Sequence, residues 1–417
     1  MLPGTSTEFW TYNSLVPGPL VDVFEGDTVR IQLENRLAQE TTVHWHGLPV
    51  PPDQDGSPMD PVAPGATRLY EFTLPIGSAG TYWYHPHPHQ LTAEQVFRGM
   101  AGLFVVRSRT DPVPAAIEER LLVISDLRLA ADGTIPANTP MDWQNGREGN
   151  YVLVNGQYRP MLTINPGQNQ RWRILNATNA RYLRLALAGH TLTLIGTDGG
   201  LLRSPIPGLD EILLAPAGRV DVIVTASVSS QPSAALQSLP YDRGGMGMMG
   251  SPSTTIPLLT LNYSSAATVA VALPGALNSI ADLGVPTTSK RLVFSSSMGM
   301  GLSDGMMRFL IDGKSFDPAR IDLTSRVNEI EQWTIENRSS MDHPFHLHGT
   351  QFQAVSRTRS GVTTTESYLA WRDTVNVAAF ETVVLKVVQR QLGKRMYHCH
   401  ILEHESQGMM GVLEVVA

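Results

Sequence analysis

A chain of 417 residues is longer than one ordinary domain, and its 42% hydrophobic content is enough to build several cores. A net charge of -7 without a basic patch argues against nucleic acid as a partner. No apolar run approaches a membrane span, and a single cysteine, Cys399, rules out an internal disulfide.

The chain begins Met1-Leu2-Pro3 and soon reaches Trp10-Thr11-Tyr12-Asn13, with no visible signal peptide; any export signal has been removed or never existed. With 36 glycines and 29 prolines punctuating short Val/Ile/Leu/Thr runs, the pattern is that of an all-β protein rich in turns. Thr28-Val29-Arg30-Ile31-Gln32-Leu33 alternates polar and apolar residues as a half-buried strand does, and so does Arg219-Val220-Asp221-Val222-Ile223-Val224.

One unit recurs three times. Gly26 to Asn35, Gly167 to Asn176 and Asn328 to Asn337 each read as a turn, then a strand, ending at asparagine. Nine and eleven residues beyond Asn35 stand His44 and His46, and the same steps beyond Asn337 reach His346 and His348. Beyond Asn176 they reach Leu185 and Leu187. The outer units are therefore expected to build a metal site, and the middle one to be a spacer with a filled core. The outer units also end alike. Tyr84-His85-Pro86-His87 parallels Tyr397-His398-Cys399-His400, and Gly99-Met100-Ala101-Gly102 parallels Gly408-Met409-Met410-Gly411. Pro86 stands where the cysteine would be. Connections rich in Pro, Ala and Ser at 109–116 and 266–288 separate units at 1–112, 113–268 and 269–417.

On a strand, alternate side chains face opposite ways. His398 and His400 should then face one side and Cys399 the other. Four His-x-His pairs (His44/His46, His85/His87, His346/His348, His398/His400) converging in one place suit copper. On the cysteine side, a thiolate, two imidazoles and a weak axial methionine make a type 1 (blue) copper site. His404 and Met409 follow Cys399 at five-residue steps, on a stretch read as a loop, and parity sends His343 to the same side. His89 is left as an outer neighbour or a surface residue, and His190 as structural.

The motifs His44-Trp45-His46-Gly47, Trp83-Tyr84-His85-Pro86-His87, His343-Pro344-Phe345-His346-Leu347-His348-Gly349 and His398-Cys399-His400 with His404 and Met409 resemble the four signature motifs of the multicopper oxidases. The resemblance covers essentially the whole chain in the three-domain form, nearest the bacterial laccases and copper-efflux oxidases. It implies three consecutive cupredoxin-like Greek-key β-sandwich or barrel domains and four copper ions. His44 and His346 would hold the type 2 copper, and His46, His85, His87, His348, His398 and His400 the type 3 pair. Asp55 and Glu405 would serve as proton donors near this cluster. The implied activity is that of a laccase: one-electron oxidation at the type 1 copper, coupled through the Cys399 backbone to four-electron reduction of dioxygen to water. It also implies a monomer, since both halves of the cluster lie in one chain, and a periplasmic or secreted setting.

An axial methionine suggests a modest redox potential, hence easily oxidised donors such as methoxyphenols, diphenols and aromatic amines. These should dock beside His343 or His404. A rival donor is cuprous ion, or ferrous ion, in a metallo-oxidase. Met246, Met248, Met249, Met298, Met300, Met306, Met307 and Met341 offer soft thioethers that select cuprous copper. A copper-binding electron carrier without catalysis is disfavoured, because it would need only the Cys399 site.

Overall fold

The computed structural model describes residues 6–226, 232–245, 254–266, 268–298 and 307–417. It is nearly all β, with cupredoxin-like architecture throughout. Its six sheets follow chain order in pairs. The first pair joins the strands Gly18–Phe24, Gly102–Arg107, Gly80–His85 and His44–His46 in one sheet, and Thr28–Glu34 with Thr67–Thr73 in the other. A five-stranded and a seven-stranded sheet follow, then a six-stranded and a five-stranded one. Each pair closes on its own core. Trp45 and Phe104 lie in the first core, Trp172 in the second, and Trp333 and Phe345 in the third. Leu185 and Leu187 lie in the second core, so the positions that carry histidine in the outer units are filled with hydrocarbon here.

The recurring asparagines explain why the units repeat. Each ends or follows a strand, and each buried carboxamide clamps the next turn. Asn35 Oδ1 accepts from Leu37 N, Asn176 Oδ1 from Thr178 N and Asn337 Oδ1 from Ser339 N. Their Nδ2 groups donate to main-chain carbonyls: Gln39 and Val62, Arg181 and Leu214, Met341 and Val377. A buried amide that satisfies both its donor and acceptor capacity fixes the turn that aims the following strand.

Two sequence expectations are corrected. The strand Arg219–Thr225 is not half-buried: all of it except Thr225 is buried, polar residues included. Its polar positions face other parts of the protein rather than water. Arg219 pairs with Asp373, and Asp221 with Arg171. The stretch carrying His404 is not a loop. It forms a short helix, Leu402–Ser406, the third after Thr92–Phe97 (α1) and Pro140–Asn145 (α2), and is called α3. Leu402 packs with Ala93 and Val96 of α1 and Trp143 of α2, and that burial stabilises a turn too short to persist alone. Among the described residues no helix is long and apolar enough to cross a membrane.

Candidate metal centres

Two antiparallel ladders deliver the histidines. In the first unit His44 faces His85 and His46 faces Trp83. In the last, His346 faces His398 and Phe345 faces Cys399. The strand Gly393–Cys399 ends at the cysteine, His400 follows in a bend, and Ile401 caps the short helix Leu402–Ser406. His398 and His400 nevertheless point one way and Cys399 the other. His398 joins His87 and His348, His400 joins His46 and His85, and Cys399 joins His343 and His404; within each trio the potential ligand atoms lie within 4.8 Å of one another.

The eight-histidine cluster straddles the first and last units, and all eight rings are buried. His44 stacks on His348 at 3.8 Å and His46 on His346 at 3.7 Å, each pair crossing the seam. Outer hydrogen bonds fix most of the tautomers. The Nδ1 atoms of His44, His85, His346 and His398 donate to the carbonyls of Asp55, Pro86, Asp373 and Cys399, at 2.8 to 2.9 Å. His348 Nδ1 donates to Asp55 Oδ2 at 2.7 Å. These five rings turn Nε2 inward. His46 is reversed: its Nε2 donates to Asp373 Oδ1 at 3.0 Å, so Nδ1 faces the cluster, 3.4 Å from His85 Nε2.

Buried nitrogens need partners, yet His44 Nε2, His346 Nε2 and both ring nitrogens of His400 have no hydrogen-bond partner. Desolvation, reinforced by neighbouring imidazoles, holds His46, His85, His87, His346, His348 and His400 far below the ordinary imidazole range; burial takes His398 down to about 3. Neutral, converging, orphaned imidazoles are what a divalent metal cluster requires, so the donor set fits copper ions.

On the other face, Cys399 Sγ lies 3.4 Å from His343 Nδ1 and 3.8 Å from His404 Nδ1. Here the Nε2 atoms are held from behind, His343 by Ser339 Oγ at 2.8 Å and His404 by the Gln144 carbonyl at 3.1 Å. Ile401 N donates to the sulfur at 3.4 Å. Burial pushes the thiol well above its ordinary value, so a metal must displace its proton on binding. Met409 closes the loop: its nitrogen donates to the His404 carbonyl and its carbonyl accepts from Cys399 N. Its side chain is fully buried in the cluster of apolar residues that contains Cys399, Phe309 and Met341.

The remaining predicted residues fall as follows. Asp55 lies between His44 and His348, with Oδ1 unpartnered. Glu405 is fully buried with Oε1 3.5 Å from His87 Nδ1, while Oε2 accepts from Ser406 Oγ. Burial lifts its carboxyl up to about 8, which favours the protonated form. His89 is half-buried beside Phe316 and belongs to no metal-competent group among the described residues. His190 bonds Tyr263 and the Ala188 carbonyl, a structural role. Met246, Met248, Met249, Met300 and Met306 lie outside the described residues, and Met298 and Met307 sit on strands. Met341 is buried, with Arg243 Nη1 3.6 Å from its sulfur.

Sequence reasoning missed Asp373, Ser339, Gln144 and the cover over the cysteine side. Neither His343 nor His404 presents an edge to solvent. α2 lies across His404, and a bridge between Gly244 and Met341 brings the 241–245 segment against the residues next to His343. The same 241–245 segment, with Asn145, Gly146 and Glu148, lines a cavity of about 330 Å³. From sequence the glycine- and methionine-rich stretch 244–250 reads as a flexible loop; of it, Gly244 and Gly245 lie among the described residues.

Three family models described as multicopper oxidase match residues 1–111, 126–264 and 288–417. The multicopper oxidase mco of Staphylococcus aureus is 32% identical over 420 residues, covering 97% of this chain and 83% of that protein. Among solved structures, the Campylobacter jejuni multicopper oxidase described as a metallo-oxidase is 45% identical with a TM-score of 0.92, covering 100% of this chain and 88% of that one. A laccase from Pediococcus acidilactici is 34% identical with a TM-score of 0.86, covering 100% and 87%. With the motifs in place and the relatives aligned end to end, this chain belongs to the multicopper oxidases.

Proposed function

We propose that the chain is a laccase-type multicopper oxidase holding four copper ions in three units, 1–112, 113–268 and 269–417. His343, Cys399, His404 and Met409 would hold a type 1 copper, and His44 and His346 a type 2 copper. One ion of the type 3 pair would lie on His46, His85 and His400, the other on His87, His348 and His398. The observation that carries this reading is the two-sidedness of His398-Cys399-His400, one thiol facing one pocket and its flanking rings facing another. When bound, copper supplies one-electron oxidation on the cysteine side and dioxygen reduction on the histidine side. The chain's own part is to hold both groups at a fixed separation along a covalent path. It also excludes water from the cysteine side and stations Glu405, whose burial favours the protonated form, 3.5 Å from His87 Nδ1. Asp55 touches both His44 and His348, and acts as the second proton-exchanging group.

The donors we assign are phenols, diphenols and aromatic amines. One observation favours a second reading, a cuprous or ferrous oxidase. The fully buried edges of His343 and His404 deny an organic ring direct contact with either imidazole. A periplasmic or secreted monomer goes with either reading. The deciding experiment loads the protein with copper and compares kcat/KM under air for a methoxyphenol, a diphenol, cuprous ion and ferrous ion. Faster turnover of the organic donors supports the laccase reading, and faster turnover of a metal ion the second. Loaded protein lacking intense absorption toward the red end of the visible spectrum overturns both.

A further inference from the structure

Asp373 holds His46 in its reversed orientation, and Asp373 is itself held from outside the copper-bearing units. Arg219, fully buried on the strand Arg219–Thr225 of the middle unit, donates from Nη1 to Asp373 Oδ1 at 2.7 Å and from Nη2 to Asp373 Oδ2. The guanidinium is spent on this region and little else. Nε donates to the Thr81 carbonyl on the strand Gly80–His85 at 2.8 Å, and Nη2 also donates to the Asp198 carbonyl at 3.1 Å. Arg219 thus ties together the strand bearing His85, the middle unit and the aspartate that faces His46. Gly47, directly after His46, admits the pair. It has φ +84, and a Cβ there would fall on Asp373 Oδ2 and come within 2.8 Å of Arg219 Nη2. The glycine of the His-x-His-Gly motif therefore has a local reason to be a glycine.

We infer that Arg219 is a positioning residue for the histidine cluster: by a bidentate bond it orients Asp373, which in turn holds His46 with Nδ1 toward the metals. The middle unit, which holds no metal-competent group among the described residues, so contributes to the geometry of a site it does not line. Two features make an arginine necessary. A carboxylate buried beside a histidine needs its charge compensated, and only a planar fork fixes both its oxygens at once. With Asp373 clamped, its Oδ1 can accept only along the direction where His46 Nε2 and Thr374 Oγ1 already point. Unclamped, the carboxylate can rotate or leave, and the ring at 46 loses the bond that selects its tautomer.

This inference rests on the copper assignment proposed above. The test is Arg219→Gln beside Arg219→Lys, each loaded with copper. The readouts are the copper-to-protein ratio, the EPR spectrum, the visible absorption of the cysteine side, and retention of copper against a chelator. For Arg219→Gln the cysteine-side absorption should be unchanged. The histidine cluster should release copper about 10–100-fold more readily, with an altered cupric EPR signal. Arg219→Lys, keeping charge without the fork, should fall between. Wild type that takes up no copper on the histidines sinks the assignment. Loaded wild type with an Arg219→Gln variant matching it in copper retention and EPR overturns this inference alone. If Arg219→Gln does not fold, Asp373→Asn replaces it under the same readouts, because it keeps the volume while losing the ionic clamp.

Discussion

Asp55 and Asp373 occupy equivalent places on opposite sides of the histidine cluster. Each presents its main-chain carbonyl to the first histidine of the pair in its own unit, Asp55 to His44 and Asp373 to His346. Each presents its carboxylate to the second histidine of the opposite unit, Asp55 to His348 and Asp373 to His46. The symmetry breaks one shell further out. Asp373 is clamped by Arg219, whereas Asp55 Oδ1 has no hydrogen-bond partner. Two carboxylates in matching positions are thereby given different freedom, one held at both oxygens and one hydrogen-bonded at a single oxygen.

Asp55→Asn should slow dioxygen reduction about 10–100-fold, the usual cost of disturbing a group that orients a metal ligand. The cysteine-side absorption should be unaffected, because Asp55 lies among the histidines. Stopped-flow reoxidation of the reduced protein measures the first and a visible spectrum the second. A reoxidation rate equal to wild type would remove Asp55 from the reaction.

Glu405→Gln should also slow reoxidation while leaving the cysteine-side absorption in place. Glu405 sits beside His87 and not among the ligand atoms of the cysteine side. Burial raises its carboxyl to about 8, which favours the form that has a proton to give. Amide replacement keeps the shape and withholds that proton. Unchanged turnover would dismiss Glu405 as a donor.

Gly349→Ala should destabilise the protein by more than the roughly 1–3 kcal/mol that a strained backbone position costs by itself. Its φ is +58, and an added Cβ would fall on Arg395 Nη1, a fully buried side chain. Gly361→Ala is the control: φ is +76 there, but nothing lies within 4 Å. Thermal unfolding of the two variants should separate them, and equal losses would show that the buried arginine can give way.

Asp198→Asn should flatten the pH dependence of stability on the acid side. Burial raises the Asp198 carboxyl from 3.8 to about 6, against the pull of Arg219. The folded protein then binds this proton more tightly than the unfolded chain does. Wild-type stability receives this contribution in full below about pH 4 and loses it as pH rises toward 6. Urea midpoints at pH 4 and pH 7 on copper-free protein, wild type against Asp198→Asn, isolate the effect because all other groups are shared. Parallel curves would count against it.

What the sequence made readable was local and periodic. Alternation along a strand placed His398 and Cys399 on opposite faces from the order of residues alone, and the common nine- and eleven-residue steps from asparagine aligned His44 with His346. What stayed hidden depended on partners far along the chain. Arg219 and Asp221 alternate with valines as polar residues on a wet face would, because pattern cannot distinguish water from a neighbouring unit. Asp373 follows His348 by twenty-five residues while Asp55 follows His46 by nine, so counting from the repeat did not bring them together. The short helix bearing His404 was unreadable for a related reason: its stability comes from Leu402 against α1 and α2, not from its own five residues.

The stacking of His44 on His348 and of His46 on His346 has a consequence for biosynthesis. Rings from opposite ends of the polypeptide must meet before either side of the cluster is complete. A nascent chain still attached to the ribosome before His400 emerges can fold its early sheets but cannot assemble this chamber. An ion that needs ligands from both outer units would therefore find its full set only after the last unit has joined the first.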